Sequence, residues 1–317
     1  MPNFSRHFAL ALATLLLAFG GRAEGQQQAQ GFAVERLYTS APGGGWFVMD
    51  SLDLQGGLGG ALSLTSGYER DALRITQGSQ QLSVVSTRAF LDLGTAVTYD
   101  RWRFYVNLTL PLYTGGHSGT VGDYSYTAPS VDLATHPDSL SDARLGVDVR
   151  LWGGPQSCFR LGASAQLIIP SGFRSDYDTD ATYRAMFRVL VAGDEGLFTY
   201  AGQLGVHLRP LDDYPTPQSP QGSELLFGAA AGARLATGSM AFVVGPEFYG
   251  ATAFRSFFGS TSTAFEGLLT LRLEGTANDG PQLRFKLGAG GGIHPQFGAP
   301  EWRVVFAIEL FNHNQPP

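Results

Sequence analysis

The chain has 317 residues with 42 glycines, 44% hydrophobic and only 15% charged residues, and a formal net charge of −6. Soluble domains have about 25% charged and about 7% glycine residues, so the composition argues against a large soluble domain, while 12% aromatic residues argue against disorder. The 20 arginines and one lysine are outnumbered by 27 acidic residues, which disfavours nucleic-acid binding, and one cysteine excludes a disulfide framework.

The N-terminus has the pattern of an export signal. Arg6 and His7 precede an apolar run over residues 8–19, and small residues surround Ala23. Twelve helical residues span only ~18 Å, short of a hydrocarbon core of ~30 Å, which makes an N-terminal membrane anchor the weaker alternative. We therefore expect residues 1–23 to be a cleaved signal peptide.

From residue 58 onward, twelve segments alternate apolar and polar side chains with period two. In residues 143–152 the odd positions are apolar, whereas Arg144, Asp148 and Arg150 occupy even positions. Alternation of this length is typical of strands that cross a bilayer with one face toward lipid. The predicted strands are 58–68, 82–99, 102–111, 141–152, 158–170, 183–192, 197–209, 223–236, 240–251, 264–275, 282–290 and 302–311.

Short and long connections alternate between these segments. The short ones are 100–101, 153–157, 193–196, 237–239 and 276–281, and the long ones are 69–81, 112–140, 171–182, 210–222, 252–263 and 291–301. Outer-membrane barrels have short periplasmic turns and long outer loops. The pattern therefore predicts an all-β fold, a transmembrane antiparallel up-and-down β-barrel of about twelve strands over residues 58–311, with both chain ends in the periplasm.

The residues flanking the predicted barrel receive their own assignments. Residues 24–57 precede the first strand and are expected on the periplasmic side, where they could fold into the barrel mouth as a plug. Residues 312–317 are expected to be a short tail. Cys158, at a strand edge, is expected to be a small structural residue.

Aromatic residues collect at both ends of the predicted strands, as the two interfacial girdles of a membrane barrel do. One set lies beside the short turns and the other beside the long loops. The first set is Tyr99, Trp102, Trp152, Phe159 and Phe198, and the second is Tyr68, Tyr113, Tyr183, Phe254, Phe265 and Trp302. A soluble β-sandwich with aromatic edges is the alternative, and it would not need two belts.

Three phrases of the sequence resemble the N-terminal barrel of outer-membrane-protein-A-like proteins of myxobacteria and related Gram-negative bacteria. They are residues 46–54 (WFVMDSLDL), 140–146 (LSDARLG) and 297–304 (FGAPEWRV). The resemblance implies an outer-membrane location and insertion by the barrel-assembly machinery, with residues 304–311 as the terminal-strand signal. Members usually continue into a peptidoglycan-binding domain, whereas this chain ends six residues after Phe311, so the resemblance does not extend to wall anchoring.

The polar faces of the predicted strands carry charges that we expect to line the lumen, because they are too many for a buried core. The basic residues are Arg88, Arg103, Arg144, Arg150, Arg160, Arg184, Arg188, Arg209, Arg234, Arg272, Arg284, Lys286 and Arg303. Their expected ion-pair partners are Asp92, Asp148, Glu247, Glu266, Glu274 and Glu309. This excess of positive charge predicts solute selectivity, in the form of a narrow, anion-preferring pore. The alternative is an arginine–carboxylate network that fills the interior.

The long loops are acidic, and Asp176, Asp178 and Asp180 form an alternating run in one of them. The glycine and glutamate of a calcium loop are missing, so we expect solvated surface charge or loose contact with divalent cations of lipopolysaccharide. The loop aromatics Tyr124, Tyr126, Phe257 and Phe258 could be receptor anchors or a packed cap.

The functional prediction is an outer-membrane barrel with a structural or transport-related role. The alternative is a surface receptor that acts through the acidic loops. An outer-membrane hydrolase is less favoured, because His117, His207 and His294 have no nucleophile at a spacing that forces contact. We expect no cofactor, metal or nucleic-acid partner; outer-membrane lipid and lipopolysaccharide are the expected surroundings, and the sequence leaves oligomeric state and solute open.

Overall fold

A computed structural model of the chain describes residues 27–54, 56–135, 137, 139–155, 157–211, 221–275, 280–294 and 298–312. The signal-peptide assignment, the tail after residue 312, Asp138, Phe297 and the turn residues 276–279 lie outside the described residues.

The fold is a closed ring of twelve antiparallel strands, as the alternation predicts. The ring strands, in chain order, are β2 (Leu58–Gln77), β3 (Gln80–Tyr99), β4 (Trp102–Gly115), β8 (Ala143–Trp152), β9 (Arg160–Ile169), β10 (Arg184–Glu195), β11 (Phe198–Leu208), β12 (Glu224–Thr237), β13 (Met240–Ala253), β14 (Thr263–Gly275), β15 (Pro281–His294) and β16 (Trp302–Asn312). Each pairs with the next along the chain, and β16 pairs with β2, from Trp302 opposite Arg70 to Asn312 opposite Gly60. Ring closure leaves no strand edge exposed.

The remaining elements lie in the chain segments at the long-loop end. The strand β1 (Gln27–Gln28) pairs in parallel with β6 (Tyr124–Tyr126), which pairs with β5 (Gly119–Val121). The strand β7 (Ser130–Asp132) adds to β4. Two 3₁₀ turns cover Arg174–Asp176 and Phe254–Ser256.

The first hairpin corrects one sequence prediction. Residues 69–81 were expected to form a long loop, but β2 and β3 continue together as far as Gln77 and Gln80, around a turn with Gly78 at φ +60°. The charged residues after Tyr68 end the apolar alternation, yet the backbone ladder continues beyond the rim. The apolar pattern therefore marks the point where the strands leave the apolar belt. The hydrogen-bonded ladder between β2 and β3 continues beyond that point.

The outside of the barrel is apolar between two aromatic belts. Tyr99, Trp152 and Phe198 are exposed at the short-turn rim, and Tyr68, Tyr183 and Trp302 are exposed at the long-loop rim. Between the belts, side chains such as Leu204 and Leu269 are more than half exposed. This is the inverse of a soluble barrel, whose exterior is polar.

Candidate functional site

The interior of the barrel is occupied by the chain's own N-terminal segment, residues 29–54, which we call the plug. At the long-loop end, the amide of Ala29 donates to Ser125 O (2.9 Å) and that of Val34 to Tyr177 O (3.1 Å). At the opposite end, the amide of Asp100 donates to Gly57 O (2.9 Å). The plug therefore runs the length of the lumen, from the long loops to the short turns.

This course corrects the predicted position of the N-terminal segment. The sequence placed residues 24–57 at the periplasmic mouth, whereas Gln27 and Gln28 pair with a strand of the long-loop end. Only the last residues before β2 lie at the short-turn end. The hydropathy pattern and the even number of strands correctly place the start of the first ring strand, residue 58, at the short-turn end. They carry no information on the course of a segment without regular structure.

The middle of the plug supplies the apolar core of the barrel. Trp46, Met49 and Leu52 are completely buried, and Phe47 and Val48 nearly so. They pack with interior residues contributed by strands around the ring: Phe90, Leu190, Ala192, Ala201, Ala230, Val243, Tyr249, Leu268, Val305 and Ala307. A twelve-stranded barrel is too wide for wall side chains alone to fill it, and the plug supplies the missing volume.

Interior glycines make room for these large side chains. A methyl group added at Gly288 would lie 2.8 Å from a ring carbon of Phe47, and one at Gly162 would lie 2.8 Å from Leu52 Cδ2. The close approach of plug and wall therefore requires residues without a side chain at these positions.

Glu247 fastens the plug to the wall. Its fully buried carboxylate accepts hydrogen bonds from the amides of Phe47 (2.9 Å) and Val48 (3.0 Å) and from the hydroxyl of Thr270 (2.6 Å). On the other side, Lys286 Nζ donates to Trp46 O (3.1 Å). Wall groups thus satisfy part of the buried backbone of the plug. Other backbone groups are paired within the plug, as where the amide of Ser40 donates to Phe47 O (2.7 Å).

The structure buries nearly all of the predicted lumen charges inside the barrel. Arg234 is the exception, since 38% of its side chain is exposed near the short-turn end. The others are buried: Arg88, Arg103, Arg144, Arg150, Arg160, Arg184, Arg188, Arg209, Arg272, Arg284, Lys286, Arg303, Asp92, Asp148, Glu247, Glu266, Glu274 and Glu309.

Further carboxylates, which the sequence reasoning missed, offset the expected excess of positive charge. They are Glu35 and Asp50 of the plug, Asp142, Asp178 and Asp180 of the loops, and Glu69 and Glu224 of the strands. The alternation of strand positions could have found three of them. Glu224 lies on the face of Arg234, Glu69 continues the inward positions of β2, and Asp142 lies at an even position of the predicted strand 141–152, as Arg144 does. Glu35, Asp50, Asp178 and Asp180 carried no such signal. The described interior is therefore an extensive ion-pair network, which is the alternative that the sequence left open, and these carboxylates offset the positive excess expected from the strands.

The ion pairs join plug, loops and wall at successive levels. At the long-loop end, Glu35 lies 2.7 Å from Arg88 and 3.0 Å from Arg303. Lower in the lumen, Arg103 pairs with Asp148 at 2.6 Å and also with Asp50. Every plug carboxylate named here thus meets an arginine of the wall, which compensates the cost of burying both charges.

Asp178 and Asp180 correct the interpretation of the acidic loops. Asp178 lies 2.7 Å from Arg88, and Asp180 lies 2.8 Å from Arg209. Both side chains are buried, so they are neither solvated surface charge nor free to contact divalent cations. Burial, partly opposed by Arg88, raises the pKa of Asp178 to about 6. Burial also acts on Asp180, but Arg209 and Arg184 outweigh it and lower the pKa of that carboxyl.

The long-loop end is closed by an apolar cluster that we call the outer cap. It joins the projecting β2–β3 hairpin (Leu73, Ile75, Val84 and Val85) to Tyr126, Tyr177 and Phe32. Tyr124 packs against it, so two of the loop aromatics belong to a packed cap. Phe257 and Phe258 are 52% and 62% exposed and contact each other.

Two small cavities lie between plug and wall in the described part of the chain. One, of about 50 Å³, is bordered by Thr39, Arg88, Asp92 and Arg144. A second cavity, of about 20 Å³, lies beside Arg188. Each of these volumes holds single small molecules or ions.

The three histidines considered for catalysis lie in three different surroundings. His117 is exposed in a loop, His207 is buried with Nδ1 3.3 Å from Glu224, and His294 Nδ1 lies 2.7 Å from Thr263 O. Within the described ranges, no group of three or more His, Cys, Asp or Glu residues is placed to hold a metal ion. In the same part of the chain, no helix is long and apolar enough to cross a membrane.

Comparison with known proteins relates this chain to outer-membrane channels through its fold. A COG4313 outer membrane channel from Pseudomonas putida F1 is 12% identical, with a TM-score of 0.52, over 81% of this chain and 95% of that chain. The NanC porin (8% identity, TM-score 0.46, 80% and 99% covered) and the CymD monoaromatic hydrocarbon channel (10%, 0.42, 84% and 91%) are more distant in fold. No protein-family model and no curated protein matches the chain. The first similarity supports the barrel architecture.

Proposed function

We propose that the protein is an outer-membrane channel for small solutes whose passage is closed by its own N-terminal plug. The observation that carries the proposal is the course of residues 29–54, which fill the lumen from end to end and are held there by polar contacts.

Displacement of the plug would also change the charge of the lumen. Asp50 and Glu35 belong to the plug and would leave with it, whereas Arg103, Arg88 and Arg303 belong to the wall and would lose these partners. The interior faces of the strands then carry more basic than acidic side chains. A conduit of one sign in a low-dielectric wall concentrates ions of the opposite sign, so the open channel would prefer anions.

Planar-bilayer recordings of the full chain and of a variant that lacks residues 29–54 test the proposal. We expect rare or small openings for the full chain, and a several-fold larger conductance for the deletion, with a reversal potential in a KCl gradient that indicates anion preference. Leu62→Ala, at a residue that is 56% exposed on the outer face of the barrel, is the control. A silent deletion variant that retains its barrel would refute the channel, and cation preference would refute the selectivity.

The receptor alternative, acting through acidic loops, has less support in the geometry. Asp178 and Asp180 are buried, and Tyr126 lies within the outer cap. The exposed Phe257 and Phe258 are the loop residues that could still contact a partner. Removal of both aromatic side chains should leave conductance unchanged under the channel proposal.

The surroundings of the barrel follow from the same proposal. The apolar exterior with two aromatic belts favours placement in outer-membrane lipid and lipopolysaccharide, reached through a cleaved signal peptide and the barrel-assembly machinery. We also propose that the barrel is related to outer-membrane-protein-A-like barrels. Its support is the phrase at residues 46–54, which forms the centre of the plug. We propose no enzymatic role for the described histidines.

A further inference from the structure

Arg188 differs from most other basic residues of the lumen because no carboxylate compensates its charge. It projects from β10, is 7% exposed, and donates to Gln203 Oε1 (3.0 Å) and Ser164 Oγ (3.0 Å). Among the described residues, no Asp or Glu lies within ion-pair distance of it. Arg150 shares this property, but it lies at the short-turn end and donates to backbone carbonyl oxygens of Leu52 and Leu54.

A buried guanidinium without a counter-charge is costly, even when neutral dipoles solvate it. The effective penalty for burying one uncompensated ion is several kcal/mol. The hydroxyl and amide partners of Arg188 stabilise part of its charge, yet its buried Nε has no hydrogen-bond partner within the described structure. The site therefore lacks one acceptor and one negative charge.

The second cavity borders Arg188. Its volume is about 20 Å³, and its polar lining consists of Arg36, Tyr38, Arg188, Gln203 and Tyr249, with no carboxylate among the described lining residues. The charge of Arg36 is already matched by Glu224, 2.9 Å away. A water molecule needs roughly 10–15 Å³ of such space. The cavity thus has room for one species of water size or slightly larger.

We propose that this cavity binds a single halide ion, of the size of chloride or bromide, with Arg188 as its principal ligand. A monatomic anion bound there supplies the missing negative charge, which water cannot. Nitrate-sized and larger oxyanions need more space. The inference deepens the proposed anion channel, on which it rests: the ion would occupy a resident site between the plug and the wall.

Crystals of the full-length protein grown in sodium bromide, and measured at the bromine absorption edge, test the site directly. We expect an anomalous peak in contact with the guanidinium group of Arg188. Arg188→Gln should abolish the peak and Arg188→Lys should retain it, since lysine keeps the charge. Arg144→Gln is the matched control, because Arg144 pairs with Asp92 at 3.0 Å and borders the other cavity; its peak beside Arg188 should persist.

A measurement in solution keeps the test independent of the variant's crystals. When bromide replaces sulfate at equal ionic strength, the change in Tm in detergent should be more favourable for the wild type than for Arg188→Gln. The bound ion stabilises only the wild type by mass action, whereas the general effect of the salts on burial is common to both proteins. A wild-type crystal in bromide without the peak, or an equal bromide effect on Tm in Arg188→Gln, would overturn the site. A bound bromide in a barrel that never conducts would refute the channel and leave the site standing, so the two proposals fail separately.

Discussion

At the scale of single residues, the interior is organised by charges whose partners come from distant parts of the chain. Glu247 illustrates this, because one carboxylate receives two amides of the plug and a hydroxyl of the neighbouring strand. Hydrogen bonds to a buried charge contribute more than neutral ones, and a buried donor left without its acceptor is costly. A few such residues therefore decide whether the plug stays in the lumen.

Replacement of Glu247 by alanine should release the plug. The amides of Phe47 and Val48 lose their acceptor while buried, which we expect to reduce the free energy of unfolding by about 3 to 5 kcal/mol. Thermal unfolding in detergent would show the lower stability, and bilayer recordings would show more frequent openings. Glu301→Ala, at an exposed residue of a long connection, is the control. Wild-type stability and wild-type gating in Glu247→Ala would contradict this role.

The raised pKa of Asp178 predicts a pH dependence of stability. Because its pKa in the folded chain is about 6, above the ordinary value near 4, the folded state binds this proton more tightly than the unfolded state. The resulting stabilisation is complete below the ordinary pKa and is lost as pH rises through about 6.

Asp178→Asn removes this titration while preserving the side-chain shape. The difference in Tm between wild type and variant should therefore shift in favour of the variant as pH rises from about 4 to about 7. Thermal unfolding across that range measures the shift, and Asp123→Asn, at an exposed loop residue, should show none. A pH-independent difference for Asp178→Asn would rule out the inferred titration.

At the scale of elements, the outer cap is a separate apolar unit placed on the barrel. The projecting hairpin of β2 and β3 contributes Leu73, Val84 and Val85, which are essentially fully buried against loop and plug residues. The ring itself is held by its closed ladder of strands, which does not depend on these contacts. Damage to the cap should therefore loosen the loops without opening the ring.

Leu73→Ala should destabilise the cap selectively. A buried leucine truncated to alanine costs about 2 to 5 kcal/mol, and here that loss should appear as faster protease cleavage of the loops, with little change in the thermal unfolding of the barrel. Leu62→Ala, at a residue that is 56% exposed on the outer face, provides the comparison. Equal loop protection in Leu73→Ala and wild type would show that the cap is held by other contacts.

At the scale of the whole molecule, the plug passes through the lumen of the barrel that the rest of the chain forms. The chain is at the long-loop end at Gln27, crosses the lumen, and begins its first ring strand at the opposite end with Leu58. The last ring strand, β16, then pairs with β2 and closes the ring around the plug. Residues at the two rims therefore lie at opposite ends of the barrel, and a chemical probe that reaches only one end can distinguish them.

Cysteine labelling on intact cells should report this threading. Gln27→Cys should react with a membrane-impermeant maleimide, because residue 27 is exposed at the long-loop end, which faces outward in outer-membrane barrels. The native Cys158, exposed beside a short turn, should react only after the outer membrane is permeabilised. The wild type and a Cys158→Ser version of the variant separate the two signals. Labelling of Cys158 on intact cells would mean the opposite orientation.

The twelve strands, the two aromatic belts and the inward position of most charged residues can be predicted from the sequence alone. These features follow from the alternation of apolar and polar side chains with a period of two. That alternation is present wherever the two faces of a strand contact different surroundings, such as lipid and the barrel interior. It did not reveal the extension of the first hairpin, because the ladder of β2 and β3 continues after the apolar pattern has ended.

What fills the barrel becomes visible only in the folded chain. Residues 29–54 have no repeating pattern, and their positions are set by contacts with residues as distant in the chain as Glu247 and Lys286. The charge balance of the lumen followed from the same contacts, since Asp50 and Asp178 reach arginines of the wall from outside the strands. The period of two indicates which face of a strand a residue occupies. The partner of a buried charge depends on which distant residues the closed ring brings next to it.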